Sequence, residues 1–294
     1  RRARPGPAPA VRPPARPAGG AMSSTRMMSF ASKFRWYHWA GSVVTAGAMN
    51  VGVMVGLFKT YRWYYADYEE DSRKFRAKYG LPSERQRLDI LEWLAPKYDT
   101  TIGVHEQSGA NGHRMAHFGE ARGDVLEVAV GSGRCFEALK QSEEIASFVG
   151  VDCLEAMLEV ARPKLADLPF PARVVRGDAH QLPFPDASFD TVIGSLCLCS
   201  VERPAAALSE MVRVCRPDGR VLLLEPGLAR SSLVRYAQRV LDLCPDPRHA
   251  WECGWYDNLE PEALVKACPC LRLESCRVRA MGNWYLITAA PQQQ

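Results

Sequence analysis

The chain has 294 residues, 47% hydrophobic and 24% charged, enough to bury the core of one large domain or two small ones. Its net charge of +4 is unevenly placed: residues 1–66 hold eight Arg, two Lys and no acid, and taking those ten charges from +4 leaves −6 over 67–294. An acidic globular part without a Lys/Arg cluster argues against a nucleic-acid partner, and ten cysteines without C-x-x-C or His spacing argue against a metal or disulfide framework.

Residues 1–32 are rich in Arg, Ala, Pro and Ser and carry no acid. Such a segment cannot bury enough apolar surface to fold, so it reads as a disordered leader. Its composition is also that of an organelle transit peptide. The chain does not open on Met, which reads as a processed form or a fragment, with Met22, Met27 and Met28 as candidate starts. Residues 39–58 are twenty positions without a charge. At ~1.5 Å per residue they reach roughly 30 Å, the thickness of a bilayer core. Trp36, Tyr37 and Trp39 precede the run and Tyr61, Trp63, Tyr64 and Tyr65 follow it, as interfacial belts do. A transmembrane anchor is expected over 36–65, with Ala48, Gly52 and Gly56 on one face as a helix–helix contact.

Residues 67–98 read as a helical linker, with Leu88, Leu91 and Leu94 at helical spacing and a break and restart at Leu81-Pro82-Ser83-Glu84. The main domain is expected over 99–294. Apolar runs at 124–130, 148–152, 173–176, 191–195 and 221–225 predict buried strands, with helices near 135–142, 154–165 and 204–216. This alternation implies a parallel sheet covered on both faces. Runs at 271–279 and 284–290, joined through Met281-Gly282-Asn283, predict an antiparallel pair.

The first strand empties into Glu127-Val128-Ala129-Val130-Gly131-Ser132-Gly133. Glycines are needed where a ligand lies against the backbone, and a helix start beyond them offers free N–H groups. A dinucleotide site asks for G-x-G-x-x-G, whose third glycine is replaced by Phe136. Asp152, nineteen residues past Gly133, can accept both hydroxyls of a ribose, and Asp178 in Arg176-Gly177-Asp178-Ala179 can receive an adenine amino group. The strand through Phe189-Asp190-Thr191 opens into a loop at Ser195-Leu196 beside the glycine turn. Arg216-Pro217-Asp218-Gly219-Arg220 makes a tight turn before the next strand.

These motifs, in this order, resemble the S-adenosylmethionine (SAM)-dependent methyltransferase superfamily, in particular its type-11 domain. The resemblance covers about 98–290. It implies an α/β fold: a Rossmann-like, mostly parallel seven-stranded sheet with an antiparallel C-terminal pair, here preceded by a transmembrane helix and a helical linker. It also implies that Gly131 and Gly133 hold the methionine end of SAM, that Asp152 binds ribose, and that Asp178 with Ala179 binds adenine. Cys153 would line the adenosine, Ser195 and Leu196 would lie beside the cofactor, and Glu127 would orient the loop or meet the SAM ammonium. The family usually has Gly where this chain has Ala129, whose methyl would narrow the space by the methionine moiety.

Methyl transfer from a sulfonium rests on alignment in a dry pocket and needs little acid–base help. His180, Glu225 and His249 are the candidate bases should the acceptor require one. Residues 247–258 are dense in aromatics and would form a lid over an apolar acceptor or pack the domain edge. With the anchor and Lys97-Tyr98-Asp99 they resemble methyltransferase-like proteins of the mitochondrial inner membrane, and also a membrane-bound group acting on small thiols. The expected function is methyl transfer to a small or lipid-soluble acceptor at that membrane. Heavier positive charge before the anchor puts the N-terminus on the matrix side. Two alternatives stand beside it: a methyltransferase-like assembly factor or subunit of a membrane complex, and an NAD oxidoreductase.

Overall fold

The computed structural model describes residues 80, 82–101, 110–232, 234, 251, 254–255, 260–279 and 282–292. The leader, the 36–65 span with its Ala48, Gly52, Gly56 face, and His249 with most of the aromatic insert lie outside the described residues. Among the described residues no helix is long and apolar enough to cross a membrane.

Helix α1 (Glu84–Leu94) begins at the restart expected from Pro82 and Ser83. The Ser83 hydroxyl accepts the Gln86 N–H at 3.3 Å, and the Gln86 side chain accepts the Ser83 N–H at 2.9 Å. This capping box satisfies two N–H groups at the helix start reciprocally. A 3-10 turn (Ala95–Lys97) leads into α2 (Tyr98–Thr101), and α3 (Ala110–Phe118) precedes the sheet.

Seven strands follow: β1 (Gly123–Val128), β2 (Ile145–Asp152), β3 (Ala172–Arg176), β4 (Phe189–Ser195), β5 (Cys215–Pro226), β6 (Leu271–Arg279) and β7 (Trp284–Pro291). They form one sheet in the order β3-β2-β1-β4-β5-β7-β6. The first five are parallel, and β7 runs against both β5 and β6. Successive strand residues point to opposite faces, so a strand buried on both sides feeds two cores. Val125, Phe148, Ile193 and Leu222 pack with Phe118 of α3, Phe136 of α4 (Phe136–Leu139) and Leu158 of α5 (Glu155–Ala161). Leu126, Val149, Val192 and Leu223 pack with Leu208 and Met211 of α6 (Pro204–Val214) and Val265 of α7 (Pro261–Ala267).

The structure departs locally from the sequence pattern at four places. β1 stops at Val128, short of the expected 130, because Ala129 turns into the left-handed region at φ 58°. The predicted helix at 135–142 is a single turn, and the one at 154–165 passes from α5 into a 3-10 segment (Arg162–Asp167) at Pro163, which has no N–H to continue the α pattern. The tight turn at 216–220 is a bulge within β5 rather than its start: Phe189 pairs with Cys215 and Thr191 with Arg220. Arg216 pins that bulge through Asp190 at 2.5 Å and Asp124 at 3.2 Å.

Candidate active site and cofactor pocket

The order of the parallel strands reverses at β1, with β2 and β3 to one side and β4 and β5 to the other. In open sheets of this kind ligands bind at such a switch point, beyond the C-terminal strand ends. The glycine loop stands there. Gly131 has φ 52° and nothing within 4 Å of where a Cβ would stand, so its backbone borders open space. Gly133 has φ 81°, and a Cβ there would come within 2.6 Å of the Phe136 ring. That ring meets Phe148 edge-on at 5.4 Å, filling the space a dinucleotide fold would leave for close helix approach.

Two acids hold the ends of β1 and β2. Glu127 is 1% exposed, and its Oε2 makes no hydrogen bond among the described residues. Burial pushes its carboxyl up to about 8, against a hydrogen bond to Cys135 and the charge of Arg114. Asp152 is also buried, and its carboxylate accepts the Gly131 N–H at 2.8 Å and the Leu154 N–H at 2.9 Å. Burial raises its pKa, opposed by those backbone donors. Asp152 therefore clasps the glycine loop to the start of α5. Cys153, next to it, is exposed, and its carbonyl accepts from Arg176.

A second clasp comes from outside the sheet. Asp99 of α2 accepts the Ser132 hydroxyl at 2.7 Å and the Lys164 ammonium at 2.5 Å, and Lys164 also donates to the Ser132 carbonyl. Burial works against the Asp99 charge, yet Lys164 and Ser132 hold its carboxyl below the usual range.

Beyond β3, Asp178 accepts both the backbone N–H and the ring Nδ1 of His180 at 2.8 Å, with its partner Ala179 packed against the core. Burial is outweighed there by the His180 contacts, which keep Asp178 low. The other His180 nitrogen, Nε2, accepts the Arg203 N–H at 3.3 Å, so both ring nitrogens are engaged. Glu225 is wholly buried and accepts the N–H groups of Cys197 and Leu198 at 2.9 Å and of Cys199 at 3.4 Å. Burial pushes it up to about 8 against those three donors. Its acceptors hold the turn after β4, where Leu196 is in the left-handed region at φ 54°. Ser195, just before, accepts a hydrogen bond from Arg114 at 3.0 Å.

Glu127, Gly131, Gly133 and Asp152 thus converge on the switch point with Ser195 and Leu196, while Asp178 and Ala179 stand past the end of β3. Sequence reasoning missed Arg114 and Lys164, and quoted Asp99 without a role. Arg114 left one trace: it shares the buried face of α3 with Ala110, His117 and Phe118, where an apolar residue is the default. Lys164 and Asp99 left none, because their meeting depends on chain segments far apart in sequence.

A family model for a methyltransferase domain matches residues 126–223. The ubiquinone/menaquinone biosynthesis C-methyltransferase UbiE of Geobacter sulfurreducens is 33% identical over 166 residues, which cover 53% of this chain and 64% of that protein. The demethylmenaquinone methyltransferase of Roseiflexus castenholzii is 34% identical over 176 residues, 55% of this chain and 73% of that protein. The mitochondrial methyltransferase OMS1 of Saccharomyces cerevisiae is 30% identical over 230 residues, 70% of this chain but only 46% of that protein. A chain of the Haloferax volcanii complex between the Trm112 methyltransferase activator and a methyltransferase shares the fold, with a TM-score of 0.54 at 17% identity over 72% of this chain and 99% of its own.

The chain belongs to the SAM-dependent methyltransferases, with their seven-stranded Rossmann-like sheet, and SAM is the cofactor. Its residues fit that molecule: the orphaned acceptor on buried Glu127 calls for a cation such as an ammonium, and the open side of Gly131 leaves the backbone accessible.

Proposed function

We propose that this chain transfers the methyl group of SAM to a small, lipid-soluble acceptor, working from a membrane to which residues 39–58 hold it. The observation that carries the SAM half is the buried Glu127 Oε2, which no donor among the described residues satisfies. When bound, SAM supplies an electrophilic methyl on a sulfonium. Glu127 would take its ammonium, the loop at Gly131 and Gly133 would lie along its methionine end, Asp152 would receive ribose hydroxyls through its remaining lone pairs, and Asp178 with Ala179 would face adenine. Cys153, Ser195 and Leu196 would line the pocket, and Ala129 would border the methionine end.

His180 and Glu225 read as braces rather than bases, because their acceptor atoms are already taken by protein donors. Catalysis then rests on alignment and exclusion of water, with His249 the remaining candidate base. The acceptor class is supported by the similarity to quinone-ring methyltransferases, and the mitochondrial inner membrane by the similarity to OMS1 together with the uncharged run and the basic leader. The Ala48, Gly52, Gly56 face is proposed as the contact for a partner helix.

The test presents the full chain in liposomes with methyl-labelled SAM and three acceptors: a demethylated quinol, a small alkyl thiol, and phosphatidylethanolamine. Label is expected in the organic extract with the quinol. Normal SAM binding with no label in any extract would instead favour the non-enzymatic assembly role.

A further inference from the structure

Three arginines from distant parts of the sequence meet at the end of the sheet opposite the glycine loop. Arg122 directly precedes β1, and Arg220 directly precedes the part of β5 that pairs with β7, so both stand at N-terminal strand ends. In the β5-β7-β6 row, Val221 pairs with Ala289 and Ala290 with Arg272. Arg220, one residue before Val221, therefore stands across from Ala290 on the side away from Arg272. Opposite residues of an antiparallel ladder share a face, and strands lie about 4.8 Å apart. Arg220 and Arg272 thus flank the small Ala290, their backbones roughly 10 Å from each other. Leu222 and Leu286 continue that face into the core beneath α3, and the α3–β1 turn brings Arg122 to its edge.

The three arginines line one cavity of about 210 Å³ together with Asp218 and Glu274, and its walls are almost wholly polar. Three cations face two carboxylates there. Glu274 is committed to Arg272 at 2.9 Å. Arg122 bonds through its backbone to the Thr191 side chain, and Arg220 through its carbonyl to the Cys215 thiol. Among the described residues neither guanidinium has a hydrogen-bond partner. Like charges gathered in a concavity repel unless an anion lies between them, and a guanidinium fork matches the oxygens of phosphate. The polar walls disfavour a lipid or other apolar ligand. The volume falls below the ~300–1,000 Å³ of a drug-sized ligand's pocket, which points to something smaller than a nucleotide.

We propose that this cavity binds a phosphate-class oxyanion, as the free ion or as a small phosphomonoester, held between Arg122, Arg220 and Arg272. It is a second site, remote from the cofactor loop and independent of how that loop is read. No run of basic residues announces it, because its cations come from three separate segments.

The experiment is calorimetric titration of the full chain with inorganic phosphate and with glycerol 3-phosphate, each against sodium chloride at equal ionic strength. Saturable heat with a phosphate ligand and none with chloride is expected, and the tighter of the two ligands tells whether the site takes the free ion or the ester. Arg220→Gln is expected to weaken that binding by about 10- to 100-fold, the span of a hydrogen bond to a charged group. Glu274→Gln keeps all three cations and removes a repelling acid, so it is expected to tighten binding several-fold. Melting within a few degrees of wild type shows that each variant has folded. Unchanged phosphate affinity in a folded Arg220→Gln would overturn the proposal. Should the variants fail to fold, wild type decides alone: heat that never saturates, or that chloride reproduces, overturns it.

Discussion

Ala129 sits at φ 58°, a conformation in which its Cβ crowds the backbone. The sequence alone places the effect of this residue in lost room beside the methionine moiety; the backbone adds a conformational cost of about 1–2 kcal/mol. Gly would remove that cost but adds freedom to the unfolded chain, worth roughly 0.4–1 kcal/mol in the opposite direction. Ala129→Gly is therefore expected to leave stability level or raise it by about 1 kcal/mol, and to tighten SAM binding. Chemical denaturation with S-adenosylhomocysteine titration checks both. A loss of stability beyond that entropic amount would mean that the methyl packs usefully on the core and that the strain is offset locally. Leu196, at φ 54°, is a second non-glycine residue held in this region, at the lip of β4. Strain of this kind persists where surrounding contacts over-determine it, and here Glu225 fixes the turn that follows.

At the scale of elements, the strands were the legible part, since apolar runs bounded by turn residues mark them and the hairpin at Gly282 closes the sheet as expected. Their ends were less so: Val130 continues the apolar run after the chain has already left the sheet, because it packs into the space left by Gly150, where a Cβ would come within 2.8 Å of it. The loop's fastenings were hidden altogether. Asp99, Ser132 and Lys164 come from α2, the loop and the 3-10 segment after α5, and no local pattern joins them. Their pairing is partly exposed, about a third for both charged side chains, so its direct contribution is modest, ~1 kcal/mol. Its larger effect is on order in the loop. Lys164→Met is expected to lower the melting temperature by only a few degrees, about 2–4 °C per kcal/mol, while hydrogen exchange at 130–134 quickens and S-adenosylhomocysteine binding weakens several-fold. If exchange in the loop is unchanged while affinity falls, the lysine touches the ligand instead of fastening the loop.

For the whole molecule, buried and surface carboxyls pull the pH dependence of stability in opposite directions. Asp99, Asp178, Asp190, Glu210 and Glu262 are held low in the folded protein by cations and N–H donors, against burial in every case. Their stabilisation is complete above the unfolded carboxylate range and is lost as pH falls through the folded values. Glu127 does the reverse, as does Glu225: burial lifts Glu127 from 4.5 to about 8, so between those values the folded chain keeps a proton that the unfolded chain releases. Its contribution is full below 4.5 and disappears as pH rises through about 8. Stability should therefore peak near pH ~5 and decline toward 8, by roughly 1 kcal/mol per pH unit from this one group in the middle of the range. Ligand changes the balance, because an ammonium at Glu127 favours the ionised carboxylate and removes the penalty of charging it. Melting curves from pH 5 to 9 should fall for the free protein, fall less with saturating S-adenosylhomocysteine, and fall less steeply for Glu127→Gln, which has lost one of the two carboxyls held up to about 8 and keeps the other at Glu225. Parallel curves for wild type and Glu127→Gln would show that the alkaline decline belongs to other groups, and that Glu127 is already ionised before any ammonium reaches it.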